Sequence, residues 1–218
     1  MAGHDNRPVT VEMVLDVICA ASYIAFVRLE RAVDRFRAEG GSVEVVFRPF
    51  QLAPDTEFGG KPLLEVLTGM FGDHVVAETE QAARDALNDG VTLDYHRAVA
   101  AGTFEAHRLV ATAARQGLAE PMVARLFAAH FSDGLDIADP GTLAALADEV
   151  GVRPSEEGAA ELRAELDRVR NLGVRSVPQV HISGISLPGT QLEVTYSQAL
   201  AKAAGKQAVR QGHRTVLD

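Results

Sequence analysis

The sequence is poor in the residues on which disulfide-rich, metal-binding and base-stacking proteins depend. Among 218 residues there is a single cysteine, Cys19, and no tryptophan, and aromatic residues make up only 6%. One cysteine can form neither a disulfide within the chain nor a cysteine-based zinc cluster. The scarcity of aromatic side chains argues against a surface on which nucleic-acid bases stack.

Positive charge is also in short supply. The chain has 21 Lys and Arg residues against 30 Asp and Glu residues, which gives a formal net charge of −9. A surface this acidic repels phosphate backbones, and the densest basic stretch is confined to residues 206–214. We therefore expect no nucleic-acid partner.

Long apolar runs and leader patterns are missing as well. The N-terminus lacks a basic region that leads into an apolar stretch, and the apolar segment 11–27 is interrupted by Glu12 and Asp16. This pattern predicts neither a signal peptide nor a membrane span. We expect a cytoplasmic protein without a membrane partner, because isolated thiols stay reduced in that compartment.

Two stretches of β character enclose a long helical block. Apolar and polar residues alternate over 10–17, a helical pattern follows from Tyr23 to the Gly40-Gly41 pair, and a continuous β-branched run occupies 43–48. This order predicts a parallel βαβ unit whose second strand is buried.

The middle of the chain, residues 62–172, is rich in Ala, Leu, Glu and Arg and has almost no strand-like run. Its periodicity predicts helices over 103–116, 121–131, 140–150 and 157–171. Beyond it, the sequence predicts a strand at 177–182, a turn at Gly184, a hairpin strand at 185–187 and a closing helix at 194–204. We expect both ends to complete one sheet, with residues 48–52 and 185–187 in it.

The most informative single position is Cys19, which lies where the first strand passes into the first helix. The unpaired N–H groups and the partial positive charge of a helix start favour a thiolate. The alternative is a small buried hydrophobic residue, the commonest fate of a lone cysteine. Position alone leaves both interpretations open.

Three other features allow a functional and a structural interpretation. Ser22, one helical turn after Cys19, can donate to a thiolate or act as a helix cap. Pro178 opens a short strand, so it occupies a sheet edge or a bulge, or follows a cis bond, which is the minority outcome. His107 and His130 lie in helical patterns and form no His-x-x-x-His pair, which favours packing over metal ligation, and we expect no metal.

Taken together, these segments resemble the DsbA branch of the thioredoxin superfamily, and within it the FrnE-like proteins. Those are relatives of 2-hydroxychromene-2-carboxylate isomerases and kappa-class glutathione transferases. The resemblance covers residues 10–204, and the matching stretches are DVICAASYI (16–24), FRPFQL (47–52), TFEAHRL (103–109), LFAAHF (126–131), GLDI (134–137), GVRSVP (173–178) and PGTQ (188–191).

The resemblance implies an α/β thioredoxin fold with a large inserted all-helical domain. The thioredoxin-like domain would comprise 1–60 and 157–218, and the inserted domain 61–156. The resemblance also implies a cis Val177–Pro178 bond that faces the Cys19 sulfur and holds substrate backbone. The candidates for binding a substrate or a low-molecular-weight thiol, glutathione or an analogue, are Val177, Pro178, Gly189, Thr190, Gln191 and His107.

The motif departs from the family at one decisive position. FrnE-like oxidoreductases usually carry Cys-Pro-Trp-Cys, whereas this chain reads Cys19-Ala20-Ala21-Ser22. The attacking cysteine is kept and the resolving cysteine is lost, so a mixed disulfide at Cys19 needs an outside thiol for its release. We expect Cys19 and Ser22 to be catalytic, and we expect the Cys19 thiol to alkylate faster at neutral pH than a free thiol.

Three functions follow as hypotheses. The first is a monothiol enzyme that acts on protein or small-molecule thiols and disulfides. The second is a thiol-cofactor-dependent isomerase or transferase for an aromatic or polyketide-like substrate, and the third is a non-catalytic binding module. The expected partner is a small-molecule thiol or a thiol protein, and because such relatives are often dimeric, a homodimer is a further expectation.

Overall fold

The structure, a computed structural model, describes residues 7–54, 56, 58–153 and 155–214, with side chains up to residue 205. The elements follow in the order β1 (Val9–Leu15), α1 (Ala20–Ala38), β2 (Val43–Pro49), α2 (Leu63–Phe71), α3 (His74–Ala86), α4 (Phe104–Arg115), α5 (Ala119–Ala128), α6 (Pro140–Val150), α7 (Ala159–Asn171), β3 (Gln179–Ile182), β4 (Ile185–Pro188) and α8 (Glu193–Arg214). A short 3-10 helix (Leu87–Asp89) follows α3, and a π-helical turn (Ala129–Asp133) follows α5.

The four strands form one mixed sheet in the order β2-β1-β3-β4. β1 runs parallel to β2, with Val9 opposite Val43, and antiparallel to β3, with Met13 opposite Val180. β3 pairs antiparallel with β4. The two ends of the chain therefore complete one sheet, as the sequence predicts, and β1 in its interior carries the turn that leads to Cys19.

Two details of the predicted sheet are wrong. β2 is an edge strand, mostly half-buried and with Glu44 exposed, so its continuous β-branched run reflects contact with neighbouring helices and not burial on both faces. β2 also ends at Pro49, so residues 50–52 form a loop outside the sheet. The pairing ends with the Phe50 N–H, which donates to the Leu15 carbonyl at 2.9 Å, because β1 itself ends at Leu15.

The turn between β3 and β4 matches its prediction. Ser183 and Gly184 have φ angles of 44° and 85°, and they join strands that pair up to Ile182 and Ile185. Two successive residues with positive φ make the turn type that suits the right-handed twist of a hairpin. The hairpin places Pro188 opposite Gln179, which itself pairs with Val14. The residues after Pro188 therefore start from the edge of the sheet at which β1 ends.

Most predicted helices are present, with shifted ends. α6 has the predicted bounds, because Asp139 caps it by accepting from the Thr142 N–H at 2.7 Å and Gly151 ends it with a φ of 83°. α5 begins two residues before the predicted start, and its last predicted residues form the π-helical turn instead. α7 starts after Gly158, and α8 continues through Gly205 to Arg214, ten residues beyond the predicted end.

One continuous apolar core joins the sheet, α1 and α8 to the helices between β2 and α7. At this junction the ring of Tyr23 in α1 stacks on that of Phe127 in α5, with centroids 4.8 Å apart, and Phe26 lies 5.7 Å from Phe127. No strand of the sheet lies among the described residues of 61–156. The division into a discontinuous thioredoxin-like domain and an inserted domain stays a prediction.

The helical block carries one buried titratable group without a partner. His130 lies in the π-helical turn and is fully buried, and neither ring nitrogen has a hydrogen-bond partner among the described residues. Burial lowers the pKa of His130 to about 4, although the charge of Asp16 acts in the opposite direction. The imidazole is therefore neutral at physiological pH.

Truncation of Phe127 should weaken the junction between α1 and α5. Phe127 is 0% exposed, so Phe127→Ala removes a buried ring and its stacking partner, and we expect a loss of about 3–5 kcal/mol in the free energy of unfolding. Denaturant unfolding at pH 7 measures it. The control is Phe71→Ala in α2, where the ring is 56% exposed and the expected change is about 0.5 kcal/mol. Equal losses in both variants would contradict the proposed junction.

His130 should make the fold sensitive to mild acid. Because its folded pKa of about 4 lies below that of an unfolded histidine, the unfolded chain takes up a proton first as the pH falls from about 6.5. Stability is thus retained above pH 6.5 and lost toward pH 4, by up to about 3 kcal/mol from this group. We expect His130→Leu to lose less stability between pH 7 and pH 5 than the parent, while His96→Leu, at an exposed position, keeps the parental pH dependence.

Candidate active site

Cys19 is held at a junction of three segments. Its backbone N–H donates to the Asp16 carbonyl at 3.0 Å, and its own carbonyl accepts from the Tyr23 N–H at 3.0 Å, so it serves as the N-cap of α1. Its sulfur lies 3.8 Å from the Val177 carbonyl, to which the thiol donates. The end of β1, the start of α1 and the loop before β3 therefore meet at one partly exposed thiol.

The Val177–Pro178 peptide bond is cis, as the resemblance predicts. Gln179, the next residue, pairs with Val14 near the end of β1, which places the bond beside the turn that leads to Cys19. The Pro178 carbonyl accepts from the Gly189 N–H at 2.9 Å, so the turn after β4 is tied to the same loop.

Ser22 occupies the position of the missing second cysteine. It is fully buried in the first turn of α1, and its hydroxyl oxygen has no hydrogen-bond partner among the described residues. Its proton is therefore available to the neighbouring sulfur when that sulfur is ionised, and this interaction lowers the pKa of Cys19.

Burial nevertheless decides the acidity of the thiol. It raises the pKa of Cys19 above its usual value and outweighs the lowering by the Ser22 side chain and by backbone N–H groups, while the charge of Asp16 raises that pKa further. This direction opposes the sequence-based expectation of an unusually acidic thiol, and the expectation of fast alkylation stays a prediction. The helix start does favour the thiolate, but it does not compensate for the lost solvation.

The turn that contains Gly189, Thr190 and Gln191 lies against the motif. The Thr190 hydroxyl donates to the Ala21 carbonyl at 3.2 Å, and Gly189 and Thr190 are exposed. The Gln191 carbonyl accepts from Arg28, at 3.1 Å, whose guanidinium also forms a two-pronged ion pair with Asp89. The structure thus brings this turn against Ala21 of the motif, and its role as a thiol-binding element stays a prediction.

His107 does not join the solvent-facing group. It is 3% exposed, and its Nε2 lies 3.2 Å from the Asp16 carboxylate and 2.9 Å from the Phe50 carbonyl. Since both neighbours are acceptors, Nε2 carries the proton and donates to them. Its donor is thus directed into the interior below the motif, and a role of His107 in binding substrate or thiol stays a prediction.

Sequence reasoning missed two neighbours of the sulfur. Asp16 is fully buried, and the signal for it was available: a carboxylate that interrupts an apolar run three residues before the cysteine. Tyr95 comes from the segment before α4; burial raises its pKa to about 12, and the charge of Cys19 adds to that rise. No local pattern marks Tyr95, because its place depends on the tertiary fold.

A cavity of about 900 Å³ lies to one side of this site. Its walls come from the loop after β2, the start of α4 and one face of α7, and Arg163 sits 4.9 Å over the Phe104 ring there. Cys19 is not among its lining residues. Within the described residues, no group of three or more His, Cys, Asp or Glu side chains could hold a metal ion.

No helix in the described part of the chain is long and apolar enough to cross a membrane. Among curated proteins, no sequence matches this chain. Among solved structures, a probable DsbA oxidoreductase from Streptomyces coelicolor is 26% identical and covers 90% of this chain and 90% of its own, with a TM-score of 0.79.

Two more distant structures share the fold. A 2-hydroxychromene-2-carboxylate isomerase is 15% identical, with 94% of this chain and 98% of that chain covered and a TM-score of 0.62. The cytosolic disulfide reductase DsbM from Pseudomonas aeruginosa, solved with GSH, is 20% identical, with 93% and 98% covered and a TM-score of 0.54.

The expected thioredoxin fold is therefore confirmed. Residues 10–210 match the family described as DSBA-like thioredoxin domain, which is nearly the whole chain. The mixed sheet, the cysteine at the start of α1 and the facing Val177–Pro178 loop agree with that match. The chain belongs to the family of DSBA-like thioredoxin domains.

Proposed function

We propose that this protein is a cytoplasmic monothiol enzyme that reduces mixed disulfides with the help of a low-molecular-weight thiol. The observation that carries the proposal is the contact between the Cys19 sulfur and the Val177 carbonyl at 3.8 Å, with Ser22 where a second cysteine would stand. This arrangement keeps a nucleophile and a backbone surface for a substrate, but no internal route for its release.

The reaction is a pair of thiol–disulfide exchanges. The Cys19 thiolate attacks a substrate disulfide R–S–S–R′, so that a Cys19–S–S–R bond forms, the S–S bond of the substrate breaks, and R′–S⁻ leaves and takes up a proton. A second thiol, R″–SH, then attacks the mixed disulfide as its thiolate and forms R–S–S–R″, while Cys19 leaves with the electron pair. The soluble thiol supplies the reducing equivalents, because the chain has no second cysteine.

The low acidity of the Cys19 thiol favours reduction of substrate disulfides over oxidation of substrate thiols. Oxidants of this superfamily owe their power to a stabilised thiolate, which makes the reduced form preferred. Burial raises the pKa of the Cys19 thiol, so its reduced form lacks that stabilisation and the disulfide-bonded form is relatively favoured. The same shift lowers the thiolate fraction at neutral pH, and the exchange should accelerate as the pH rises.

The turn that contains Gly189, Thr190 and Gln191 is the candidate for binding the soluble thiol. The Thr190 hydroxyl donates to the Ala21 carbonyl, and Gly189 and Thr190 are exposed. Backbone and side-chain groups of this turn can hold the polar parts of glutathione or an analogue while its sulfur reaches Cys19. The similar disulfide reductase solved with GSH supports a thiol of this class and a cytosolic location.

Incubation with glutathione disulfide tests the proposal directly. We expect one glutathione adduct per folded chain, formed faster at pH 8.5 than at pH 7 and reversed by glutathione, because the thiolate fraction limits the attack. Intact mass spectrometry measures it. Cys19→Ala should show no adduct, whereas Ser197→Ala, away from the motif, should react as the parent does.

Two results would contradict this function. A folded parent that forms no adduct with glutathione disulfide or cystine, although the denatured chain does, would favour a binding module. Turnover of a small aromatic substrate that requires bound thiol but forms no Cys19 disulfide would favour the isomerase or transferase hypothesis.

Replacement of Ser22 by cysteine should restore an internal disulfide. Ser22 lies one helical turn from Cys19, at the position of the family's second cysteine, so Ser22→Cys brings two thiols into bonding range. We expect the oxidised variant to lose two titratable thiols and to oxidise a reduced protein substrate by transferring its internal disulfide, which the parent cannot do because its single cysteine forms no such disulfide. Ser42→Cys is the matched control, because Ser42 accepts from the Val9 N–H at the opposite end of β1. Oxidase turnover by the parent or by Ser42→Cys would overturn the expectation.

A further inference from the structure

A buried pair of side chains lies directly beneath the Cys19 turn, and no step of the proposed exchange uses it. Asp16 is 0% exposed and His107 is 3% exposed, and they come from the end of β1 and from α4. The His107 Nε2 donates to the Asp16 carboxylate at 3.2 Å. A buried charge of this kind is tolerated only when hydrogen bonds satisfy it. The segments that form hydrogen bonds with this pair are therefore held in place.

Asp16 is satisfied on three sides. One carboxylate oxygen accepts from His107, and the other accepts from the Leu52 N–H at 2.7 Å. Its backbone carbonyl accepts from the Cys19 N–H at 3.0 Å. One residue therefore sets the position of the Cys19 backbone relative to the loop that follows β2.

The same pair also supports the loop that contains Val177, whose carbonyl accepts from the Cys19 thiol. His107 donates to the Phe50 carbonyl at 2.9 Å, two residues before the Leu52 contact. The Phe50 ring and Val177 pack against one small apolar cluster, made by Val14, Val169 and Val174. The pair thus holds the loop that supports Val177, whose carbonyl faces the Cys19 sulfur.

We propose that Asp16 and His107 are positioning residues for Cys19, which fix the turn that carries its sulfur and the loop that supports Val177 in one geometry. The proposal rests on the proposed function in that Cys19 is the reacting group. It goes further, because it assigns a role to α4, an element of the helical block, in the reactivity of a thiol that the sheet and α1 carry.

Several charged or titratable groups face this site. Asp16 and Tyr95 lie close enough to Cys19 to interact with its charge. The charge of Asp16 in turn raises the pKa of His130, against the larger effect of burial. His130 is neutral over the working range because its pKa is about 4. Because the negative charge of Asp16 raises the pKa of Cys19, removal of that charge should make ionisation of the thiol easier.

The test is the pH profile of Cys19 alkylation by iodoacetamide, which needs neither substrate nor turnover. We expect Asp16→Asn to alkylate about three- to tenfold faster than the parent at pH 7, which corresponds to a midpoint lowered by half to one unit. His107→Asn, whose amide cannot reach the position of Nε2, should also react faster, because the released loop admits water to the sulfur. His107→Gln places an amide nitrogen near that position and should restore the parental profile.

Controls and the double variant separate positioning from general damage. Glu12→Gln removes a carboxylate from the same strand, at a site paired with Arg48, and should leave the profile unchanged. Asp16→Asn combined with His107→Asn should react more slowly than the product of the two single effects, because both single variants lose the same contact between Nε2 and the carboxylate. Circular dichroism confirms that each variant is folded.

Three results would overturn the proposal: a parental profile in folded Asp16→Asn, a parental profile in folded His107→Asn, or effects that multiply in the double variant. If His107→Asn does not fold, the contrast of Asp16→Asn with Glu12→Gln decides. The outcome is independent of the exchange reaction. A parent that forms no glutathione adduct while these shifts occur would refute the proposed function and leave the positioning role standing.

Discussion

The carboxylate of Asp16 is buried completely, and the local structure is arranged so that both of its oxygens and its carbonyl are hydrogen-bonded. A carboxylate taken out of water costs several kcal/mol unless such partners are in place, so the donors cannot be moved independently. They come from the loop after β2, from α4 and from the backbone of Cys19. The turn that presents the sulfur, the loop beside it and the helical block are therefore held in one arrangement.

That arrangement explains why the thiol is weakly acidic despite its place at a helix start. The N–H groups of α1 and the Ser22 hydroxyl favour the thiolate, but burial and the Asp16 charge both oppose it. In a two-cysteine relative, the second thiol would take over the mixed disulfide, and a stabilised thiolate would assist its release. Here the hydroxyl of Ser22 cannot attack a disulfide, so the lifetime of any mixed disulfide depends on access of an outside thiol.

The sequence predicted the parts of the site that depend on local order along the chain. The alternation in β1, the cysteine at the helix start, the Gly184 turn and the capped helix α6 are each set by neighbours within a few residues. The edge position of β2 was not predictable in that way, because a continuous β-branched run satisfies both a buried strand and an edge strand covered by helices. The end of α8 was missed because a single glycine is tolerated inside a helix that continues beyond it.

The surroundings of His107 show where pattern and resemblance stop being informative. A histidine in a matching stretch was assigned to ligand binding, whereas the structure turns its donor toward a carboxylate and a carbonyl in the interior. What decides between these outcomes is the burial of Asp16, which lies 91 positions away in the chain. A charged group without solvent needs a donor from whichever element packs over it, and α4 is that element. The pairing therefore follows from the energetics of one buried charge, and it becomes visible only when the helical block is placed over the end of β1.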